Sequence, residues 1–228
     1  MPATTSDARA ELAALCERGL EWYPGTSRGQ TDAARARPAA VLVLFGVLDS
    51  VPARSGGALA SDLDVLLLRR AATLGSHAGQ IAFPGGRLEA SDDGPISAAI
   101  REAGEETGVD PDGVEPLGTL PALPVPVSNH LVTPVPAWWT RPSEVAAVDH
   151  DESVDVFRVP VADLLHPANR ANTEHTFGAT TYRSPAFTVD GRIVWGITAL
   201  VLARMFDELG WSEPWDPARL VEPDDLRR

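Results

Sequence analysis

The sequence predicts an α/β domain, and three observations support that fold class. Hydrophobic residues make up 44% of the 228 residues and charged residues 22%, the balance of a globular chain that buries a core. Short apolar segments rich in branched residues alternate with segments whose apolar residues recur at helical spacing. The length suits one domain with decorated ends. We therefore divide the chain into an N-terminal helix and connector (residues 1–38), a main domain (39–212) and a C-terminal tail (213–228).

The first half of the chain predicts strands on either side of glycine-rich turns. An amphipathic helix is expected over residues 7–20, and a connector from Pro24 to Pro38. Three apolar segments then have the length and composition of strands, and they are Ala39–Leu48, Leu63–Arg70 and Ile81–Phe83. Turns are predicted at Gly56-Gly57 and at Pro84-Gly85-Gly86.

The next predicted element is a helix from Pro95 to Thr107. Asp93 or Gly94 can cap its start, and Pro95 fits the first turn, where a missing N–H costs little. Gly108 fits the left-handed position that follows a helix.

The second half of the chain predicts further strands and a closing helix. The expected strands are Leu117–Leu120, Val132–Trp138, Val154–Val159 and a strand within Ala179–Val189 that is followed by a turn at Gly191. The expected helices are a short one at Pro160–Leu165 and a long one at Val194–Leu209, which Gly210 ends.

The net charge and the cysteine content limit the classes of function that the chain can have. A formal net charge of −13 argues against a protein that binds duplex nucleic acid, since such proteins usually carry a basic face. It is compatible with a small anionic substrate, because a bound divalent ion reverses the local sign of charge. Cys16 is the single cysteine, so no internal disulfide is expected. The sequence shows no signal peptide and no apolar stretch long enough to span a bilayer, so we expect a cytoplasmic protein without membrane or nucleic-acid partners.

The helix predicted at Pro95–Thr107 carries the most informative residues. Glu102, Glu105 and Glu106 stand at positions i, i+3 and i+4, so their side chains share one face and repel one another. A magnesium ion removes that repulsion, because it prefers oxygen ligands and is commonly held by carboxylates together with substrate phosphates. The turn at Gly85-Gly86 lets backbone approach such an ion closely. Arg101 can pair with a neighbouring carboxylate and orient it.

This segment resembles the Nudix box, in which glycine, five residues, glutamate and seven residues lead to Arg-Glu-apolar-x-Glu-Glu-x-Gly-apolar. Gly86 opens the box, and the residues from Arg101 to Val109 match its second half. The first half departs from the pattern. One extra residue lies between Gly86 and Arg101, and Asp92 or Asp93 stands where the box has glutamate.

The longer spacing, with acidic residues at Glu89 and Asp92, is similar to that of the coenzyme A pyrophosphatase subfamily. That subfamily also has an upstream signature, which the chain matches at Leu66, Leu67, Arg70, Ala71, Gly79, Phe83, Pro84, Gly85 and Gly86. Leu68 replaces a threonine of the signature, and Gly75 replaces an arginine. The likeness continues to Val194–Ala199 and covers residues 39–210.

The resemblance implies a Nudix-type α/β/α sandwich with a mixed β-sheet, formed by residues 39–212. It implies Mg²⁺ or Mn²⁺ as the cofactor, and attack of water on one phosphorus of a pyrophosphate. The ligands it implies are the carboxylates of Glu102, Glu105 and Glu106 and the backbone carbonyl of Gly86. Glu152 is one candidate general base, and Glu102 is the other.

The resemblance also suggests residues that bind substrate. Arg70 and Arg87 are candidates because guanidinium groups match phosphate oxygens, although Arg87 also fits an ordinary surface position. His77 is a further candidate for a substrate contact. For Trp195, core packing is favoured over stacking on an adenine ring.

Three hypotheses for function follow. The first is hydrolysis of coenzyme A or acyl-CoA to 4′-phosphopantetheine, or its acyl form, and adenosine 3′,5′-bisphosphate. The second is hydrolysis of another nucleoside diphosphate derivative such as ADP-ribose or NADH, because Leu68 and Gly75 depart from the signature. The third is a non-catalytic binding module, against which the three intact glutamates argue. The expected partner is a small nucleotide-like molecule, and a homodimer is expected by analogy alone.

Overall fold

The computed structural model describes residues 7–23, 36–48, 60–71, 79–148, 153–177 and 180–223. Its helices are α1 (Ala8–Arg18), α2 (Pro95–Thr107), α3 (Val161–Leu165) and α4 (Gly196–Leu209). Its strands are β1 (Arg37–Val47), β2 (Leu63–Arg70), β3 (Ile81–Ala82), β4 (Gly85–Arg87), β5 (Val114–Pro116), β6 (Leu123–Val125), β7 (His130–Trp139), β8 (Ser153–Pro160), β9 (Arg170–Phe177), β10 (Thr180–Val189) and β11 (Arg192–Val194). This mixture of helices and strands confirms the predicted α/β class.

A mixed sheet of eight strands forms the centre of the molecule. β1 runs parallel to β7, with Arg37 opposite His130 and Phe45 opposite Trp138. β2 pairs antiparallel with β1 on one edge and with β8 on the other. β5 and β6 pair with β7 along the edge that β1 leaves free.

The sheet separates two hydrophobic cores, because β1 is apolar on both faces. Val43 and Phe45 point into the core that contains α1 and α4, whereas Leu42 and Leu44 point into the core that contains α2. Helices therefore cover both faces of the sheet. The predicted α/β/α sandwich with a mixed sheet is confirmed.

Strands β3 and β4 fill the space where β1 and β2 separate. β3 pairs with Leu68 and Arg69 at the end of β2, and β4 pairs with the start of β1. The sequence predicts only a turn at Gly85-Gly86, but both residues belong to β4. Gly85 has a φ of 156°, and a Cβ at this position would overlap the carbonyl oxygen of Ala40 in β1. Only glycine lets the two strands approach this closely.

A second antiparallel sheet, in the order β11-β10-β9, packs beside α4. The sequence predicts β10 and the turn at Gly191, but not β9. Burial alternates along β9, with Ala171 and Thr173 buried and Glu174 and Thr176 exposed. Its buried residues are Arg170, Ala171 and Thr173, none of which is a large apolar residue, so the strand lacks the apolar run that would have revealed it.

The strand predicted at Leu117–Leu120 is wrong. β5 ends at Pro116, and residues 117–122 form no strand. The N–H groups of Leu117 and Leu120 still donate to carbonyls of β7, at 2.9 Å each. The prolines that flank this stretch lack an N–H, so a regular ladder cannot continue.

The helix and the tail at the two ends of the chain pack onto the main domain. Leu12 and Leu15 of α1 belong to the core that contains α4. Asn172 of β9 exchanges backbone hydrogen bonds with Arg219 and Val221, at 2.9 Å each.

The connector at Pro24–Pro38 lies largely outside the described residues, and the turn at Gly56-Gly57 lies wholly outside them. The division of the chain into three parts therefore stays a prediction. None of the described helices combines the length and hydropathy needed to cross a membrane.

We expect Gly85→Ala to lower the free energy of unfolding by about 3 kcal/mol, because strain and overlap with β1 act together. Urea denaturation measures this loss. Gly191→Ala is the control, since its φ is 72° but an added Cβ meets nothing within 4 Å. That variant should lose only about 1–2 kcal/mol. Equal losses in the two variants would contradict the close approach of β4 to β1.

Candidate active site

Helix α2 is held against the sheet by small buried residues. Ala98, Ala99 and Ala103 lie in the core beneath the helix, and each is fully buried. The helix has the predicted bounds, with Gly94 as its N-cap and Gly108 left-handed at its end, with a φ of 69°. Packing along this face fixes the direction in which the glutamates of α2 project.

Glu106 connects α2 to strand β4. Its carboxylate is almost fully buried and accepts a hydrogen bond from the backbone N–H of Gly85 at 2.8 Å. Its backbone carbonyl accepts bonds from the N–H of Val148 at 3.2 Å and from the hydroxyl of Ser153 at 3.4 Å. Glu106 therefore joins the helix to the glycine segment and to the start of β8.

Glu102 lies against Gly86, the next residue of β4. A Cβ built on Gly86 would overlap the carboxyl carbon and both oxygens of Glu102. The absence of a side chain at Gly86 is therefore what lets this carboxylate reach the backbone of β4. The predicted pairing of the glycine segment with the carboxylate helix is present in the structure.

Arg101 contacts three carboxylates at once. Its Nε and Nη2 donate to the two oxygens of Asp92 at 3.1 and 3.0 Å, which is a bidentate arrangement. Its Nη1 donates to Glu102 and to Glu105, at 3.0 Å each. Nη2 also donates to the carbonyl of Arg87 at 3.2 Å. The predicted role of Arg101 in orienting carboxylates is confirmed.

Asp92, and not Asp93, takes the place of the missing glutamate. The side chain of Asp92 is only 4% exposed and also accepts the N–H of Glu89 at 2.8 Å. The Arg101 guanidinium holds the pKa of Asp92 below its ordinary value, with help from that backbone N–H. The hydrogen bond to Asp92, followed by the one to Glu102, raises the pKa of Arg101. The loop before α2 thus brings Asp92, with the extra residue in place, into contact with Arg101.

The three glutamates do not converge on one point. Among the residues that the structure describes, no three acidic, histidine or cysteine side chains form a group that could ligate one ion. Glu105 is 60% exposed on its side chain and turns toward Arg101, whereas Glu106 turns toward Gly85. The structure brings Glu102 and Glu106 to the glycine segment and leaves Glu105 at the rim.

Arg70 lies at the end of β2, opposite Ser153 of β8. Its Nε is buried, and no described residue accepts a hydrogen bond from it. A buried cationic donor without an acceptor is costly, so an anion at this position would be bound favourably. Because Ser153 contacts Glu106, Arg70 lies on the same side of the molecule as the carboxylates.

The other predicted site residues are less well placed or lie outside the described part. The side chain of Arg87 is exposed, and its guanidinium makes no hydrogen bond or ion pair with a described residue. His77 and Glu152 fall outside the described residues. Ser153 was not predicted, because a single serine in an apolar strand gives no signal in the sequence.

Comparisons with known proteins identify the family to which the chain is similar. The NUDIX domain family model matches residues 52–178. A relative from Cronobacter sakazakii, named Uncharacterized Nudix hydrolase NudL, is 35% identical over 153 residues, covering 64% of this chain and 75% of the relative. A relative of the same name from Escherichia coli is 34% identical over 146 residues, with the same two shares.

Similar solved structures carry the same family name. A Nudix hydrolase from M. smegmatis, RenU, is 24% identical, covers 55% of this chain and 71% of its own, and has a TM-score of 0.43. A MutT/nudix family protein from Enterococcus faecalis is 16% identical, covers 90% of this chain and 75% of its own, and has a TM-score of 0.47.

We expect Asp92→Asn to lower stability in a pH-dependent way. The pKa of Asp92 is depressed in the folded state, so its ion pair stabilises fully above the ordinary pKa of 3.8 and progressively less as the pH falls below it. The difference in Tm between wild type and variant should therefore be constant near neutral pH and shrink below pH 3.8. Asp93→Asn is the control, since exposed Asp93 makes no hydrogen bond or ion pair with a described residue. A control variant with the same pH-dependent difference would show that Arg101 has another principal partner.

Proposed function

We propose that this chain, which belongs to the Nudix hydrolase family, uses Mg²⁺ or Mn²⁺ to hydrolyse the pyrophosphate bond of coenzyme A or an acyl-CoA. Nudix hydrolases act on nucleoside diphosphate derivatives, and the family therefore defines the class of substrate and of reaction. The observation that carries the proposal is the position of Glu102 and Glu106, whose carboxylates lie against the backbone of Gly85 and Gly86.

The proposed ligands of the divalent ion are the carboxylates of Glu102, Glu105 and Glu106 and the carbonyl of Gly86. Glu105 lies at the rim, so it would have to turn from Arg101 toward the glycine segment to join the other ligands. Such oxygen donors suit magnesium and manganese. The close approach at Gly86 supports the fit, because no side chain stands between Glu102 and the backbone. When bound, the ion lowers the pKa of water, orients the phosphates and neutralises charge on the leaving oxygen. Arg101 would keep the carboxylates in place.

Arg70 is the proposed phosphate-binding residue. Its buried Nε has no acceptor among the described residues, and a phosphate oxygen would supply one. Arg87 and His77 remain proposals for substrate contacts, and the exposed guanidinium of Arg87 is available to a ligand.

Two residues remain candidates for the general base. Glu152 is one candidate and lies outside the described residues; Ser153, the next residue in the chain, donates from its hydroxyl to the carbonyl of Glu106. Glu102 is the alternative, since its carboxylate already lies at the glycine segment. The base must reach the attacking water directly or through one further water.

The choice of coenzyme A depends on the segment that matches the coenzyme A subfamily. One of its two departures has little weight, because Leu68 is fully buried in β2 and cannot contact a substrate. The other departure, Gly75, lies outside the described residues. The matching residues run along β2, β3 and β4 toward the carboxylates, which supports coenzyme A as the first substrate to test.

We expect the purified protein to release adenosine 3′,5′-bisphosphate from coenzyme A when Mg²⁺ or Mn²⁺ is present. Coenzyme A, ADP-ribose and NADH are offered separately, and the products are identified by mass. Cleavage of ADP-ribose or NADH alone would keep the metal-dependent reaction and reject coenzyme A. Binding of all three without any cleavage would instead favour a non-catalytic module.

We expect Glu105→Gln to lower kcat about 100-fold or more, since the proposed ligand contributes several kcal/mol to charge stabilisation through the metal ion. Its stability should change by no more than about 0.5 kcal/mol, because the side chain is 60% exposed. Glu208→Gln on α4 is a matched control. It removes an equivalent i,i+4 pair, with Arg204 at 2.6 Å, away from the site. Full activity in Glu105→Gln would show that Glu105 is not a ligand.

A further inference from the structure

Three aromatic side chains form an open stack on the second sheet. The ring of His175 lies 5.4 Å from that of Tyr182 and 6.0 Å from that of Trp195, measured between centroids. The interplanar angles are 23° and 26°, so the rings are nearly parallel and offset, and each leaves part of its face uncovered. We call His175, Tyr182 and Trp195 the aromatic stack. Core packing, the role that the sequence favours for Trp195, is wrong, because this ring is only partly buried and belongs to neither core.

The aromatic stack lies close to the glycine segment. In the chain, Trp195 follows β11 and precedes Thr198, and both of these contact β3. Strand β11 packs against β3, and the hydroxyl of Thr198 donates to the carbonyl of Ile81 in β3 at 3.1 Å. Gly85 follows Ile81 by four positions, so the chain between them spans at most about 13 Å. Arg192 of β11 also pairs with Asp155 of β8 at 3.3 Å, near the end of β2 that carries Arg70.

A buried threonine holds the central ring. Nε2 of His175 lies 2.8 Å from the hydroxyl of Thr173, and that hydroxyl donates to the carbonyl of Ser184 at 3.4 Å. Thr173 has one proton to give, so it accepts the N–H of the imidazole. Burial lowers the pKa of His175, which keeps the ring neutral near pH 7. The imidazole is thus oriented before any ligand arrives.

The outer rings remain accessible to a ligand. Tyr182 stacks on His175 and is still 37% exposed. The indole N–H of Trp195 makes no hydrogen bond with any residue in the described part of the chain. The indole ring stacks on the imidazole of His175. Partly exposed aromatic faces beside polar groups are typical of ligand sites.

We propose that the aromatic stack binds the planar heterocyclic base of the nucleotide substrate. This inference rests on the proposed function for the identity of the substrate. Stacking on aromatic rings binds any base, because every base has a π-face. With the phosphates held by Arg70 and the carboxylate site, the base would lie beside β3, against which β11, the strand that precedes Trp195, packs. Tyr182, His175 and Trp195 would therefore contribute to substrate affinity and not to the chemical step.

Tryptophan fluorescence tests the proposal without turnover. Adenosine 5′-monophosphate, which has no pyrophosphate bond, is titrated against the full chain in EDTA, with ribose 5-phosphate as the base-free probe. We expect the monophosphate to quench fluorescence and ribose 5-phosphate to leave it unchanged. The quenching should disappear in Trp195→Phe and persist in Trp215→Phe, which removes a tryptophan of the tail that lies over Arg170.

Affinity is measured independently of the fluorophore. Tyr182→Ala keeps all tryptophans and alters an exposed side chain, so it should fold, and it should bind adenosine 5′-monophosphate about 10-fold more weakly by calorimetry, as expected for one lost stacking contact. For a substrate that the enzyme cleaves, the same variant should raise KM with kcat nearly unchanged. A loss of kcat with unchanged KM would overturn the proposal.

The two proposals can fail separately. Hydrolysis of a dinucleotide together with unchanged monophosphate binding in Tyr182→Ala and Trp195→Phe would overturn the aromatic stack as a base site and keep the reaction. Absence of hydrolysis, together with monophosphate binding that these variants weaken, would overturn the reaction and keep the base site. Equal quenching by ribose 5-phosphate would show that the fluorescence change does not come from binding of the base to the aromatic stack.

Discussion

The hydrogen bond between the N–H of Gly85 and the buried carboxylate of Glu106 is the contact on which the candidate site depends. It joins a helix on one face of the sheet to a strand within the sheet. Gly85 can make it only because it has no side chain to collide with Ala40 of β1. The inserted strand β4, the position of α2 and the approach of Glu102 to Gly86 all require this close packing. A requirement of backbone geometry thus determines where the carboxylates lie.

The second constraint is electrostatic. Glu102, Glu105 and Asp92 would repel one another, and the guanidinium of Arg101 offsets that repulsion by bonding to all three. A planar group with several fixed donors is suited to this task, whereas a lysine ammonium would not form the bidentate contact to Asp92. Arg101 also bonds the carbonyl of Arg87, so it stabilises the loop between β4 and α2 as well as the helix.

The sequence predicted the elements whose signals are local. The bounds of α2 followed from Pro95 and Gly108, and β2 followed from a continuous apolar run. It missed β9, whose buried residues Arg170, Ala171 and Thr173 include no large apolar side chain. It took Gly85-Gly86 for a turn, because pairing with β1 is not visible in a local pattern. The choice between Asp92 and Asp93 likewise required the position of Arg101 in space. Trp195 was misjudged for the same reason, since its partner His175 lies twenty residues away in the chain.

Positive charge is distributed unevenly in this acidic protein, and this distribution affects where an anion can bind. The net charge of −13 disfavours binding of phosphates over most of the surface. Several arginines are paired with carboxylates, among them Arg101, Arg158, Arg183 and Arg192. Arg70 differs, since it pairs with no carboxylate in the described part of the chain and its buried Nε has no acceptor there. An anionic ligand gains most where a cationic donor is already desolvated and unsatisfied, because no existing bond must be broken. Phosphate is therefore expected to bind at Arg70, an arginine that is not paired with any described carboxylate. The uncharged aromatic stack can bind the base without adding electrostatic repulsion.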